Sequence, residues 1–418
     1  MPVEAPVRPA VTTQDRRARI AVALLFLTNG MLFANLLPRY PGIKADLALS
    51  NTQYGLAIAA FPAGAIAAGM AAGALIRRFR SARVAVTGTM VTGIGIFLAG
   101  LAPSWLLLAA VLFLAGASDA VTDVAQNAHG LRVQRRYKRS ILNGFHAVWS
   151  VGAVGGALMG TTAVGLGLSR PVHLGISAAL LSGVVLVAYR FLLPGPEPAG
   201  GEVADDLDAT GADRSGSRAD PSIANTFDRF RTTLILSALV LIAIAGIVVE
   251  DAGGSWGAVY LSGSLGASAT IAPAGYIALV GAQFVGRTVG DRLVDRFGQR
   301  VVARMGGLIT AVGMGVALAV PTVPSTIAGF ALSGFGVATL IPAAMHAADE
   351  LPGLRPGTGL AMVSWLMRVG FLAAPPLVGL VADATSLRVG LLSAPLAGAV
   401  ALALAGALSN QRKPPAGD

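Results

Sequence analysis

The sequence predicts an all-α membrane protein of twelve transmembrane helices, arranged as two pseudo-symmetric six-helix halves. Three observations lead there. Of the 418 residues, 54% are hydrophobic and only 12% are charged, against about 25% charged in an ordinary soluble domain. Most of the surface therefore has to meet lipid. Apolar runs long enough to span a bilayer follow one another along the chain. The second set of runs also echoes the first at a fixed spacing.

Residues 1–17 are polar, contain prolines and end in Arg16 and Arg17, which predicts a disordered cytoplasmic start. The run 18–38 is too long for a signal-peptide core, and no small-residue cleavage site follows it, so it is the first span. Further helices are expected near 53–76, 83–102, 104–129, 141–167 and 171–193, completing a first bundle over 18–193. A second bundle over 231–409 holds helices near 232–260, 272–292, 301–320, 323–347, 357–382 and 385–409, and 410–418 is a cytoplasmic tail. Between the bundles lies the linker 194–230. Its stretch 194–222 has four prolines, five glycines, seven acids, two arginines and no aromatic residue, so it cannot bury a core.

The repeat is visible in three places. Phe79 and Phe297, Gly116 and Gly334, and Gly152 and Gly370 are each 218 residues apart and fall in corresponding helices. Glycine is abundant here, so each match alone is weak; the common offset argues for duplication. Arginine and lysine set the orientation. Arg77, Arg78, Arg80, Arg83, Arg132, Arg135, Arg136, Lys138, Arg139, Arg292, Arg296 and Arg300 fall in one set of loops. The opposite set holds little beyond Arg39, Lys44, Arg170 and Arg388. The positive-inside bias puts both termini in the cytoplasm, and the expected location is a bacterial inner membrane.

Composition also excludes chemistry. There is no cysteine, hence no disulfide, thiol catalysis or cysteine metal cluster, and the four histidines are scattered. No nucleophile–base pair emerges, so an enzyme is not expected. The net charge of +10 lies between apolar runs rather than on one soluble face, which argues against nucleic acid. The expected partners are the bilayer and a small solute, with the chain a monomer. No cofactor or metal is expected.

The segment 287–300 joins two apolar runs through Gly290, Asp291, Asp295, Arg296, Gly298 and Arg300. Gly298 permits the turn, and Asp295 and Arg296 can cap and pair at helix ends. This D-R-x-G-x-R pattern resembles the short loop signature of the major facilitator superfamily, which places it after the second and eighth helices. Here Asp291 stands where the family prefers Gly, and Gln299 where it prefers a basic residue. The first-half copy is degraded, with Arg77 in place of Asp and Arg80 in place of Gly. The resemblance implies a secondary active transporter whose halves rock about a midplane cavity, driven by a proton or other ion gradient.

Candidate cavity residues follow from charge inside spans. Asp119 and Asp123 are four apart on one helical face, with Asn127 a turn further on. Carboxylates at such depth face a cavity or a partner, and desolvation favours the protonated form that a proton carrier needs. Asp123 followed by Asn127 looks like the acid-then-Asn arrangement of fucose-permease-like symporters, where the acid takes part in proton coupling. A single Asp paired with a nearby Arg is the plainer reading. The fourth helix lacks the Arg of the drug-antiporter branch, and the fifth, around Gly152 and Gly155, lacks its Pro. Both weaken a proton-antiport exporter of amphipathic compounds, which stays the alternative, with a non-transporting sensor or scaffold more remote.

Glu250 and Asp251 precede Gly253 and Gly254, which should loosen the helix, and Trp256 and Tyr260 follow. That pattern suits a gate or cavity wall, or equally an interfacial aromatic belt. Asn29 and Asn35 either face the cavity or hold helices together. His146 and His346 lie near helix ends, and Arg287 is expected to snorkel or pair with Asp291 or Asp295. Arg368 sits about 16 Å into the eleventh helix, too deep to snorkel easily. It needs Asp119, Asp123, Glu250 or an anionic group on the substrate. Pro375 and Pro376 follow it and should kink that helix; the surrounding Gly370–Gly379 stretch resembles uncharacterised bacterial facilitator relatives.

Overall fold

A computed structural model describes residues 11–137, 141–195, 226–352, 354 and 357–408. In the first half the helices are α1 (Thr13–Leu36), α2 (Tyr40–Asp46), α3 (Asn51–Gly69), α4 (Ala72–Phe79), α5 (Ser81–Leu101), α6 (Trp105–Tyr137), α7 (Leu142–Gly165) and α8 (Arg170–Tyr189). The second half has α9 (Thr226–Asp251), α10 (Gly257–Gly263), α11 (Ala274–Phe297), α12 (Gln299–Ala319), α13 (Val323–Val337), α14 (Leu340–Asp349), α15 (Thr358–Ala384), α16 (Leu387–Gly390) and α17 (Ser393–Leu404). Most of the predicted linker, 196–225, lies outside the described residues, as do 1–10 and the tail 410–418.

Among the described residues ten helices are long and apolar enough to cross a membrane, or eleven if α3 and α4, bent by 58°, make one span. The sequence reading has twelve. The helix α11 has the length, 24 residues, but Gln283, Arg287 and Asp291 dilute its apolar character.

Several boundaries differ from the sequence reading, each for a local reason. The first helix starts at Thr13 rather than 18, because the Thr12 hydroxyl accepts from the Asp15 amide while Asp15 accepts from the Thr12 amide. Residues 13–17 thus belong to helix, not to the expected disordered start. A 3₁₀ turn, Leu37–Arg39, carries the same rod on into α2. The second span breaks near Met70, and α6 runs to Tyr137, eight residues past its predicted end. The glycine pair after Asp251 does loosen the helix: Ala252–Trp256 is a π turn. Helix α15 continues without a break through Pro375 and Pro376.

The duplication reappears in packing. A side chain on Gly116 would strike the Phe61 carbonyl, and one on Gly334 would strike the Leu279 carbonyl. Phe61 and Leu279 are themselves 218 apart. Arg78 lies 5.5 Å over the Phe79 ring, and Arg296 lies 5.4 Å over the Phe297 ring. The turns that follow are alike too: Arg80 has φ 72 and ψ 146, and Gly298 has φ 85 and ψ 152.

Where the halves meet, one end is sealed. Asp383, at the end of α15, accepts the backbone N–H groups of Asn51 and Thr52 at the start of α3, both at 2.8 Å. The Tyr54 hydroxyl donates to the Ser255 carbonyl at 2.6 Å, and its ring meets Trp256 edge-on with centroids 5.0 Å apart. Tyr40, Tyr54, Trp256 and Tyr260 are all buried in one apolar core that joins both halves. At the arginine-bearing end the first half keeps a separate core, built around Phe26, Val133 and Phe145.

Candidate functional site

A charged side chain within a span is costly against lipid and is expected to face a cleft or a partner, and the accessible charged residues of α6, α7, α11 and α15 come together where the halves meet. Asp123, His146, Arg287 and Arg368 are exposed, and Glu250 is partly so. They belong to opposite halves yet feel one another's charge: His146 and Arg368 act on Asp123, and Arg287 acts on His146. The aromatic floor is buried at the sealed end, which leaves the arginine-bearing end as the side not closed by these contacts.

The first half supplies two carboxylates in different settings. Asp119 is held: its Oδ1 accepts the Asn29 side-chain amide at 2.7 Å. The Asn29 Oδ1 in turn accepts the Trp149 indole N–H at 2.8 Å. Three helices, α1, α6 and α7, are tied by this relay. Among the described residues Asp123, one turn on, has local side-chain donors only, Asn127 at 3.1 Å and Gln126 at 3.2 Å. The Asn127 amide thus turns back onto Asp123 within the same helix. Close approach of α1 and α7 depends on Gly30, where a Cβ would collide with the Trp149 carbonyl. The relay can form only because that gap is closed.

The second half supplies the cations. Arg287 lies 3.4 Å from Glu250, which also accepts from the Gln283 amide. The expected pairing of Arg287 with Asp291 or Asp295 is corrected by this contact: both aspartates lie further towards the helix end, while Glu250 comes across from α9. Arg368 lies beside Gly69 of α3. Among the described residues it has no carboxylate within 4 Å, so none of Asp119, Asp123 and Glu250 forms the predicted direct pair. A guanidinium near mid-span without a static partner keeps its five N–H donors available.

Other predicted residues fall elsewhere. Asn35 is buried and accepts from His173 at 2.7 Å, an interhelical bond rather than a cleft position. His346 pairs with Glu350 at an exposed helix end, 3.5 Å away. In the loop signature, Gly290 is buried against Thr339 and Gly298 takes the positive φ the turn needs. Arg300 donates to the Gly406 and Leu408 carbonyls, at 2.8 and 3.0 Å. Asp295 shows no pairing partner among the described residues.

Two contributors escape the sequence reading. Trp149 looks like any apolar helix residue until Asn29 is placed against it. Asp383 is not singled out by the sequence, yet its carboxylate crosses to the other half. Asp251 enters the sequence reading only as part of a gate pattern; it is buried and accepts from Ser255 at 2.6 Å. The aromatics after it are buried as well, which fits the gate reading and not the interfacial belt.

The chain matches the family model described as Major Facilitator Superfamily over residues 22–293 and 244–418. It is 29% identical over 367 residues to the uncharacterized transporter y4wD of Sinorhizobium fredii, covering 88% of this chain and 92% of that one. Among solved structures, a bacterial homolog of the human lysosomal transporter Spinster, inward-facing and occupied, superposes with a TM-score of 0.74 at 15% identity, covering 95% of this chain and 97% of that one. A D-xylose-proton symporter does so with a TM-score of 0.70 at 15% identity, covering 93% and 96%.

Proposed function

Because the chain belongs to the Major Facilitator Superfamily and is a membrane transporter rather than an enzyme, we propose that it is a proton-coupled secondary transporter of a small polar or anionic solute. It works by alternating access across a bacterial inner membrane, with both termini and the arginine-bearing end in the cytoplasm. The observation that carries this reading is the pairing across the cleft of Asp123 and Arg368. Each is accessible, the Arg368 charge reaches Asp123 from the opposite half, and among the described residues no direct ion pair locks them. An arginine near mid-span costs about 2.5–3.5 kcal/mol on insertion scales unless water or an anion meets it, so a cleft and an anionic guest explain its retention. Asp123 carries the proton and Arg368 grips the solute with two hydrogen bonds. Asp119, fixed by Asn29, positions the helix that bears Asp123. The family's general scheme of two repeats rocking about a midplane site fits this placement, and the structural neighbour that is itself a proton symporter supports the coupling.

Replacing Asp123 by Asn tests it. Asn keeps the shape and cannot carry a proton. Gradient-driven accumulation should be lost while solute exchange persists; accumulation at the wild-type level would defeat the assignment. Arg368→Lys should leave weak transport, and Arg368→Ala should abolish it in a protein that still inserts and purifies.

A further inference from the structure

Outside the central cleft, a cavity of about 470 Å³ opens at the arginine-bearing end of the first half. Its walls are the start of α1, the turn between α4 and α5, and the chain leaving α8. Arg17, Arg80, Arg83 and Arg190 line it, and among the described residues no acid does. All four are exposed, and among the described residues none makes an ion pair; Arg83 reaches only the Tyr189 hydroxyl, at 3.4 Å. Four like charges around one cavity repel one another until an anion enters.

The backbone gives a second, independent sign. Arg80 holds φ at 72, in a region that side chains avoid and glycine adopts freely. Its counterpart 218 residues on is Gly298, with nearly the same angles. The fold needs glycine's conformation in both turns, yet one copy keeps an arginine there against strain. In the same turn Arg77 stands where the loop signature has an acid. Strain retained at one side chain points to use of that side chain. Phe191 and Tyr189 add an apolar edge to the cavity, and both are exposed beside the lipid-facing surface of α8.

We propose that this cavity binds a phosphate-bearing anion, with guanidinium forks gripping its oxygens. The same chemistry is offered by an anionic phospholipid headgroup and by a soluble phosphate, and the test separates them. The full chain, purified in neutral detergent, is melted while its tryptophan fluorescence is followed. Phosphatidylglycerol is compared with phosphatidylcholine, and inorganic phosphate with chloride at equal ionic strength. Phosphatidylglycerol should raise the melting temperature where phosphatidylcholine does not. Arg80→Gly should lose most of that shift while melting no lower than wild type without lipid, since the turn is relieved. Arg190→Gln should lose the shift in the same way. Arg304→Gln removes an exposed positive charge in the other half and should keep it. A phosphate shift without a lipid shift, removed by Arg80→Gly, upholds the site and assigns it to soluble phosphates. Equal loss in Arg80→Gly and Arg304→Gln, or no anion-specific shift in wild type, would overturn the proposal.

Discussion

Removing the Asp383 carboxylate should open the sealed end of the transporter. That carboxylate accepts two backbone N–H groups from α3 of the opposite half. Both donors sit at the first residues of a helix, where no intrahelical acceptor exists and the helix dipole is positive. The contact exists only while the halves are closed, so its loss acts on the closed state alone. A lost helix cap costs about 0.5–2 kcal/mol, and the exposure of Asp383 keeps it from being worth more. At 1.4 kcal/mol per tenfold, Asp383→Ala should shift the equilibrium towards opening at this end by about 2- to 30-fold. Asp383→Asn should shift it less, because its amide oxygen still accepts one N–H. The chain has no cysteine, so spin labels can be placed at will. Pro103 and Pro321 are exposed at this end on opposite halves. Distance distributions between spin labels attached in the double variant Pro103→Cys, Pro321→Cys, recorded with and without Asp383→Ala, read the population directly. An unchanged distribution would show that the Asp383 caps do not hold the halves.

Three other expectations follow from the packing and the charge pattern. Gly116→Ala and Gly334→Ala should each destabilise by about 1–3 kcal/mol through overpacking against a carbonyl, read by thermal melting; an unaffected melt in both would remove the basis for the paired close contacts. Glu250→Gln and Arg287→Ala should each cost about 1 kcal/mol or less, since the pair is partly solvated, and the double variant should cost less than the sum of the two; strict additivity would mean the pair is not coupled. Reporter fusions within 194–222 and at both termini should signal cytoplasm, and a periplasmic signal from the linker would reject the assigned orientation.

Much of this architecture is written locally and was legible. Spans follow from apolar length, the turn after α11 from Gly298, the loosened seventh span from Gly253 and Gly254, and the duplication from three glycine and phenylalanine matches. Asp119 and Asp123 were legible as neighbours on one side because a helix puts residues four apart on one face. What stayed hidden depends on how helices meet. Asn29 and Asp119 are 90 residues apart, and Asn29 has equal reason to face a cavity or a neighbour until α1 and α6 are docked. Arg287 had two acids nearby in sequence, yet the one within reach, Glu250, lies on another helix. The bend after Gly69 has no proline to announce it, and the extra turn of α1 rests on the Thr12 cap, which reads as a polar tail. The strain at Arg80 needs backbone angles to be seen, although its place in the degraded loop signature marked the turn as unusual.

Gradient-driven transport through the Asp123–Arg368 cleft can be read directly in membrane vesicles. Right-side-out and inverted vesicles carrying wild type or Asp123→Asn are given a panel of small polar and anionic solutes, with and without an imposed pH gradient. At least one solute should accumulate in wild-type vesicles only when the gradient is present, and Asp123→Asn should merely equilibrate it. Accumulation that ignores the gradient, or that survives intact in Asp123→Asn, would contradict the proposed coupling.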